Sequence, residues 1–248
     1  MPRKSESAIA KATETAMITN ADLEALGFDN IDAEIAEMTK GFQLQPPRVR
    51  IEHSASGRHR MFIDHGESYS DEVPNEIDLP GNTLSGIVCF AQTIRAMWSE
   101  NEPLPRCAAV DNKPTVPEPV HPACTGCAES VIGNGKCKPK VRLVVLAFVD
   151  GKPTLVVFPL SPTSIKRWRS HVSKLARSKA PYTAVVTRFS LDDIQKNSFR
   201  WAEVSLSVDR VVTKEELKAA LSIRDQLDQQ LKDIEEADYN DPGDKLPL

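Results

Sequence analysis

The chain has 248 residues, of which 40% are apolar and 27% charged. That is enough for one large domain, alone or with extensions, and without any apolar run of about 18 residues it predicts no membrane-spanning helix. The net charge of −4 hides a segregation: Lys136 to Lys179 holds eleven Lys or Arg against the single acid Asp150, a local +10, while Asp233 to Asp244 holds six acids and no base.

The opening "MPRKSESAIAKATETAM" has no continuous apolar core behind its basic residues. A cytoplasmic protein without a secretory signal is therefore expected. Residues 1–45 read as a flexible N-terminus with two short helices. Asn20 caps the first and Gly27 ends it, and Ile31, Ile35 and Met38 share a face of the second. "QPPRVRIEHS" breaks helix and starts a strand near Arg48, "RHRMFIDHG" gives a second strand ended by Gly66, and 66–83 reads as an acidic, turn-rich loop. In "LSGIVCFAQTIRAMW", Val88, Phe90, Ile94 and Trp98 suggest one side of a strand, although Ile87, Phe90, Ile94 and Trp98 also fit a helical stripe. Residues 100–140 contain seven prolines and four of the five cysteines. A segment this long needs internal cross-linking to be ordered.

"VRLVVLAFVDGKPTLVVFPL" is a β-hairpin signal, two apolar runs about Asp150-Gly151. Ser161 as cap and Pro162 in the first turn then open a helix over 162–178, with Ile165, Trp168, Val172 and Leu175 as its apolar stripe. Strands are expected at 182–189 and 199–208. Thr213 and Glu216 form a capping box for a C-terminal helix over 213–237, its stripe running Leu217, Leu221, Arg224, Leu227, Leu231 and Ile234. Residues 238–248 read as a disordered acidic tail. The expected fold is a β-rich α+β domain over 46–212: an OB-like small β-barrel with a four-cysteine metal loop at 100–140, peripheral helices and a C-terminal helix.

Cys107, Cys124, Cys127 and Cys137 have the spacing C-x16-C-x2-C-x9-C. A CxxC turn points two sulfurs the same way, and four thiolates complete a tetrahedral zinc (Zn2+) site. An iron–sulfur cluster would use the same four and stays open as the alternative. His121 reads as a solvated loop residue and Cys89 as a small core residue. Catalytic readings fit less well. Cys124-Thr125-Gly126-Cys127 lies in a Pro/Gly loop, not at the strand-to-helix junction a redox CxxC occupies. His65-Gly66-Glu67 matches half of a zinc-deaminase signature, but the proline of Pro122-Ala123-Cys124 is one residue out of place. Phosphate-cradling and nucleophile-elbow motifs are missing from the sequence, which favours binding over catalysis.

The helix over 162–178 turns Lys166, Arg167, Arg169, Ser170, Lys174 and Arg177 away from its apolar stripe, with no acid among them. With Lys136, Lys138, Lys140, Arg142 and Lys152 these form a candidate track for a phosphate backbone. In "FRWAEVSLSV", Ala202, Val204, Leu206 and Val208 share one face, and Phe199 and Trp201 share the polar one. Aromatics there suit base stacking, with Tyr182 as a third candidate; a second small core is the alternative use. Trp168, Trp98 and Phe90 read as core.

The segments "PRCAAVD", "CTGCAESVIGNGKCKPKVRLVVL" and "FPLSPTSIKRWRSHVSKL", followed by an acidic end, resemble phage and mobile-element single-stranded DNA-binding proteins of the OB-fold type. The resemblance covers roughly residues 84–210. It implies a non-enzymatic protein that coats single strands in DNA replication or recombination; the acidic tail itself suits competition with nucleic acid for the basic groove and recruitment of partner proteins through its tip Leu246-Pro247-Leu248. Two other classes stay open: a metal-cluster nuclease, for which Asp64, Glu67, Asp71 and Glu72 are the nearest carboxylates, and a structural zinc protein that binds protein partners.

Overall fold

The computed structural model describes residues 46–66, 75–99, 104–131 and 135–230. All belong to the unit Pro46–Leu248, separate from Met1–Gln45. The expected N-terminal helices, the end of the C-terminal helix beyond Gln230 and the acidic tail lie outside the described residues.

Ten strands and two α-helices make up the described residues. In order they are β1 (Arg48–Glu52), β2 (Arg60–Asp64), β3 (Glu76–Asp78), β4 (Thr83–Met97), β5 (Cys107–Val110), β6 (Lys113–Pro114), β7 (Lys138–Val149), β8 (Lys152–Leu160), α1 (Pro162–Arg177), β9 (Val185–Lys196), β10 (Phe199–Val211) and α2 (Lys214–Gln230). The strands form one curled, half-barrel sheet in the order β10-β9-β4-β7-β8-β1-β2-β3, with β5 and β6 branching from β4. The β-rich α+β expectation holds at this level.

The β7–β8 hairpin is central. Asp150 and Gly151 both have positive φ (49° and 76°), as the tight primed turn requires. Odd residues of β7 (Val141, Leu143, Val145, Ala147) enter the main core, where they meet β1, β2, β8, β9, β10 and α1. Phe158 and Phe189 pack edge-on inside it, 5.5 Å between centroids, a geometry worth about 0.5–1.5 kcal/mol beyond area burial. Val144 and Leu146 point to the opposite face, which α2 covers with Ala220, Ile223 and Leu227. The residues α2 packs on the sheet are therefore the buried Ala220 and Leu227, with Ile223 half-buried between them. Leu217, Leu221 and Arg224, expected on its apolar stripe, are only half-buried.

β4 is a strand throughout, which removes the helical alternative. Its pairing with β7 slips between Val88 and Phe90. That bulge separates two residues expected on one face: Val88 packs into the main core and Phe90 against the α2 side. The stretch read as loop over 66–83 contains β3, which pairs with β2 through Ile77 and Ile63. β9 and β10 run past their expected ends, to Lys196 and Val211.

The sheet is closed by side chains instead of a strand ladder. β10 ends the strand order, yet its Ala202 N–H donates to His53 Nδ1 (3.0 Å) and its Val204 N–H to Ser164 Oγ (3.0 Å). His53 comes from the β1–β2 turn and Ser164 from α1. In the same turn His59 Nδ1 accepts from Ser54 N–H (3.1 Å), so its Nε2–H donates to Asp193 Oδ1 of β9 (3.0 Å). α1 then plugs the opening with Ile165 and Trp168. Its Pro162 sits in the first turn as expected, but Ser161 makes no side-chain cap bond. Thr213 and Glu216 do form the capping box of α2: Glu216 N–H to Thr213 Oγ1 (3.2 Å) and Thr213 N–H to Glu216 Oε2 (2.8 Å).

Candidate functional site

The cysteine loop hangs from the end of β4. Cys107 opens β5 opposite Met97, and Cys137 directly precedes Lys138, which pairs with Ala96. Between them the chain makes a CxxC turn: Cys127 N–H donates to the Cys124 carbonyl at 3.3 Å, with Gly126 at φ +82°. Ser130 Oγ then lies 2.8 Å from the carbonyls of both Cys124 and Cys127. Cys137 N–H returns to the Glu129 carbonyl (2.9 Å). A Cβ at Gly135 would stand 2.0 Å from that carbonyl oxygen, so only glycine fits there.

All four cysteines line one small pocket, together with Met97, His121 and Ser130. Burial pushes the Cys137 thiol up to about 11 and raises Cys124 as well, while the Arg95 charge pulls both down. As they stand, no three His, Cys, Asp or Glu side chains among the described residues are arranged to hold a metal ion. The fold thus gathers the expected four residues around one pocket, with their thiols free. His121 is exposed, its Nδ1 2.6 Å from the Ala123 carbonyl oxygen. Cys89 is fully buried in the α2-side core.

The basic residues do not form one track. Lys140 and Arg142, expected on the phosphate-binding face, are 0% and 2% exposed, and Arg142 donates to Gln92 Oε1 at 2.5 Å. By strand alternation they share the face of β7 that carries Val144 and Leu146, and their burial makes them interior residues. Lys152 is exposed but sits at the Asp150-Gly151 turn, the opposite end of the hairpin from Lys136 and Lys138. Lys136 is exposed and Lys138 half-buried.

On α1, Lys166, Arg169, Lys174 and Arg177 are exposed and lie opposite the buried Ile165, Trp168 and Leu175. Arg167 departs from the expected acid-free face. It reaches the β9–β10 surface, where Nε donates to Glu203 Oε2 (2.9 Å) and Nη1 to Asp192 Oδ2 (2.6 Å) and Ser205 Oγ (3.0 Å). This clamp fixes α1 beside a file of cross-strand pairs on the outer face: Glu203 with Asp192, Trp201 with Ile194, Phe199 with Lys196. Trp201 Nε1 donates to Glu203 Oε1 at 3.1 Å, so one carboxylate holds both the arginine and the indole. Phe199 is 47% exposed and Trp201 half-buried. Tyr182 packs on Trp168 (5.8 Å between centroids), half-buried and away from that file.

Sequence reasoning missed Arg95, Ser130 and the His53/His59 seam. A lone cation in the apolar run "QTIRAMW" was the available signal for Arg95; nothing local marked the histidines, whose partners are about 140 positions away (134 for His59 and Asp193). No helix among the described residues is long and apolar enough to cross a membrane. In comparisons with known proteins the chain matches no family model, no curated protein and no solved structure.

Proposed function

We propose that this protein binds single-stranded DNA with little sequence preference and coats it, in a binding and not a catalytic role. The observation that carries the reading is the adjacency of two surfaces. The exposed cations Lys166, Arg169, Lys174 and Arg177 lie on one face of α1, and the outward file of Trp201 and Phe199 lies beside it, joined by the Arg167 clamp. Cations attract the phosphate backbone and release its counterions. Aromatic faces stack on unpaired bases of any identity. The curled sheet is read as an OB-type platform, the architecture that commonly presents such a surface.

In the same reading Cys107, Cys124, Cys127 and Cys137 hold one structural zinc ion, after rotation of thiols that already line one pocket. An iron–sulfur cluster on the same residues is the alternative, and absorption by the purified protein in the visible range separates the two. The acids between Asp233 and Asp244 would compete with DNA for the basic helix and, once displaced, recruit replication or recombination proteins.

The test is a salt-titrated comparison of single- and double-stranded DNA with the wild type and Trp201→Ala. A steep salt slope, preference for the single strand and a loss of about 1–3 kcal/mol in the variant are expected. Equal affinity for both forms, unchanged by the substitution, would overturn the reading.

A further inference from the structure

We infer that Arg95 is the positioning residue of the four-cysteine centre, through which the last turn of β4 organises all four sulfur-bearing residues. This rests on the reading of that pocket as a zinc site.

Two of the four are set by the backbone of β4. Met97 pairs with Cys107, and Ala96 pairs with Lys138, the neighbour of Cys137. The other two belong to a turn that has no strand partner. Arg95, one residue earlier on β4, is paired on its two sides with Ala109 and Pro139 and is therefore fixed between β5 and β7. Its Nη1 donates to the Ser130 carbonyl (3.2 Å). Ser130 is also the residue whose hydroxyl lies 2.8 Å from both the Cys124 and the Cys127 carbonyls. The one loop residue that gathers the CxxC turn is thus the one that Arg95 holds. The Nε of Arg95 donates at the same time to Asn112 Oδ1 in the β5–β6 turn (3.3 Å). A planar fork spans both acceptors; a lysine ammonium is a single point.

Charge works in the same direction. Four thiolates on a zinc ion leave a net −2, and outer-shell partners orient ligands and balance that charge. The Arg95 guanidinium stands against the loop that carries two of the four, its Nη1 on the Ser130 carbonyl.

The experiment uses the full chain and zinc alone. Wild type, Arg95→Ala, Arg95→Lys and Ser130→Ala are titrated against a chromogenic zinc chelator. The same four proteins are loaded with cobalt to report the number of thiolate ligands by their absorption. Wild type is expected to hold about one zinc ion. Arg95→Ala should bind it about 10–100-fold more weakly while keeping the four-thiolate cobalt spectrum, as removal of an outer-shell partner does. Arg95→Lys should recover part of the loss and Ser130→Ala should shift the same way as Arg95→Ala. Wild-type affinity in Arg95→Ala would overturn the role of Arg95 with the zinc site intact. A wild type that holds no zinc would overturn the metal reading itself, and Arg95's role with it, before any variant is compared. Should Arg95→Ala fail to fold, Arg95→Lys decides, since it keeps the charge but loses the fork: wild-type zinc affinity in Arg95→Lys would overturn the positioning role.

Discussion

His59 Nε2 stands 3.0 Å from Asp193 Oδ1 and joins the β1–β2 turn to β9, two parts of the sheet separated by three strands, β4, β7 and β8, in the strand order. Replacing His59 with alanine removes that donor and leaves the Ser54 N–H without its acceptor. A loss of about 0.5–1.5 kcal/mol is expected, the net worth of an ordinary hydrogen bond, since Ser54 and Asp193 are partly exposed. Urea unfolding checks it; an unchanged midpoint would show that the seam contributes nothing to stability.

Stability should fall with acid in two stages. His171 is buried under α1 beside Thr187, and burial, followed by the Lys174 charge, lowers its pKa below 6.5. The unfolded chain then takes up a proton that the folded one refuses, so stability is lost as pH falls below 6.5. Hydrogen bonds from Arg210 and the Thr213 N–H bring Glu216 from 4.5 down to about 2, and those from Arg200 and then His59 depress Asp193 from 3.8. Their contribution is present above the unfolded values and is lost below them; both carboxylates are solvated, so solvent screening keeps this second stage small. Unfolding midpoints across pH in wild type and His171→Gln test the assignment. The upper stage should flatten in the variant, and its persistence would assign it to another group.

The two loop glycines should respond differently to alanine. At Gly126 the strain is one of φ alone, since nothing lies within 4 Å of an added Cβ, so about 1–3 kcal/mol is expected. At Gly135 the Cβ would overlap the Glu129 carbonyl, and the 129–137 return must open. Limited proteolysis should therefore cut the cysteine loop of Gly135→Ala much faster than that of Gly126→Ala. Equal rates would mean that the loop yields locally.

The cations should divide by location. Removing Lys166, Arg169, Lys174 or Arg177 should lower the salt slope of single-strand binding by about 1 each, with little effect on stability. Removing Arg167 frees the α1 clamp, and removing Lys140 or Arg142 disrupts buried polar interactions; these variants should lose stability instead. Paired binding and unfolding curves separate the classes. A lower salt slope for Lys140→Ala at unchanged stability would contradict its interior position.

Legibility followed the range of the interactions. The β7–β8 hairpin, α1 and the Thr213–Glu216 box were readable because each is specified by residues a few positions apart. The slip at Cys89 was not, because a bulge is set by the partner strand and leaves no mark in an apolar run. Lys140 and Arg142 misled for a similar reason: a lysine next to a cysteine loop reads as exposed, and its burial on β7 is set by long-range packing. The four cysteines could be grouped from spacing, whereas Arg95 became visible only when β5 and β7 were seen on either side of it. The clamp on Arg167 needed the register of β9 and β10, which brings Asp192 opposite Glu203.

The side-chain closure at β10 bears on assembly. An open strand edge offers a row of N–H donors on which another chain can build, the usual route to domain swapping and fibre growth. Here the donors of Ala202 and Val204 are already taken by His53 and Ser164. At the other margin β3 presents Glu76 and Asp78, both engaged by Arg60. The middle of the β10 edge is therefore not a free template, and on the proposed reading copies crowded along one strand of DNA could lie side by side without pairing through Ala202 and Val204.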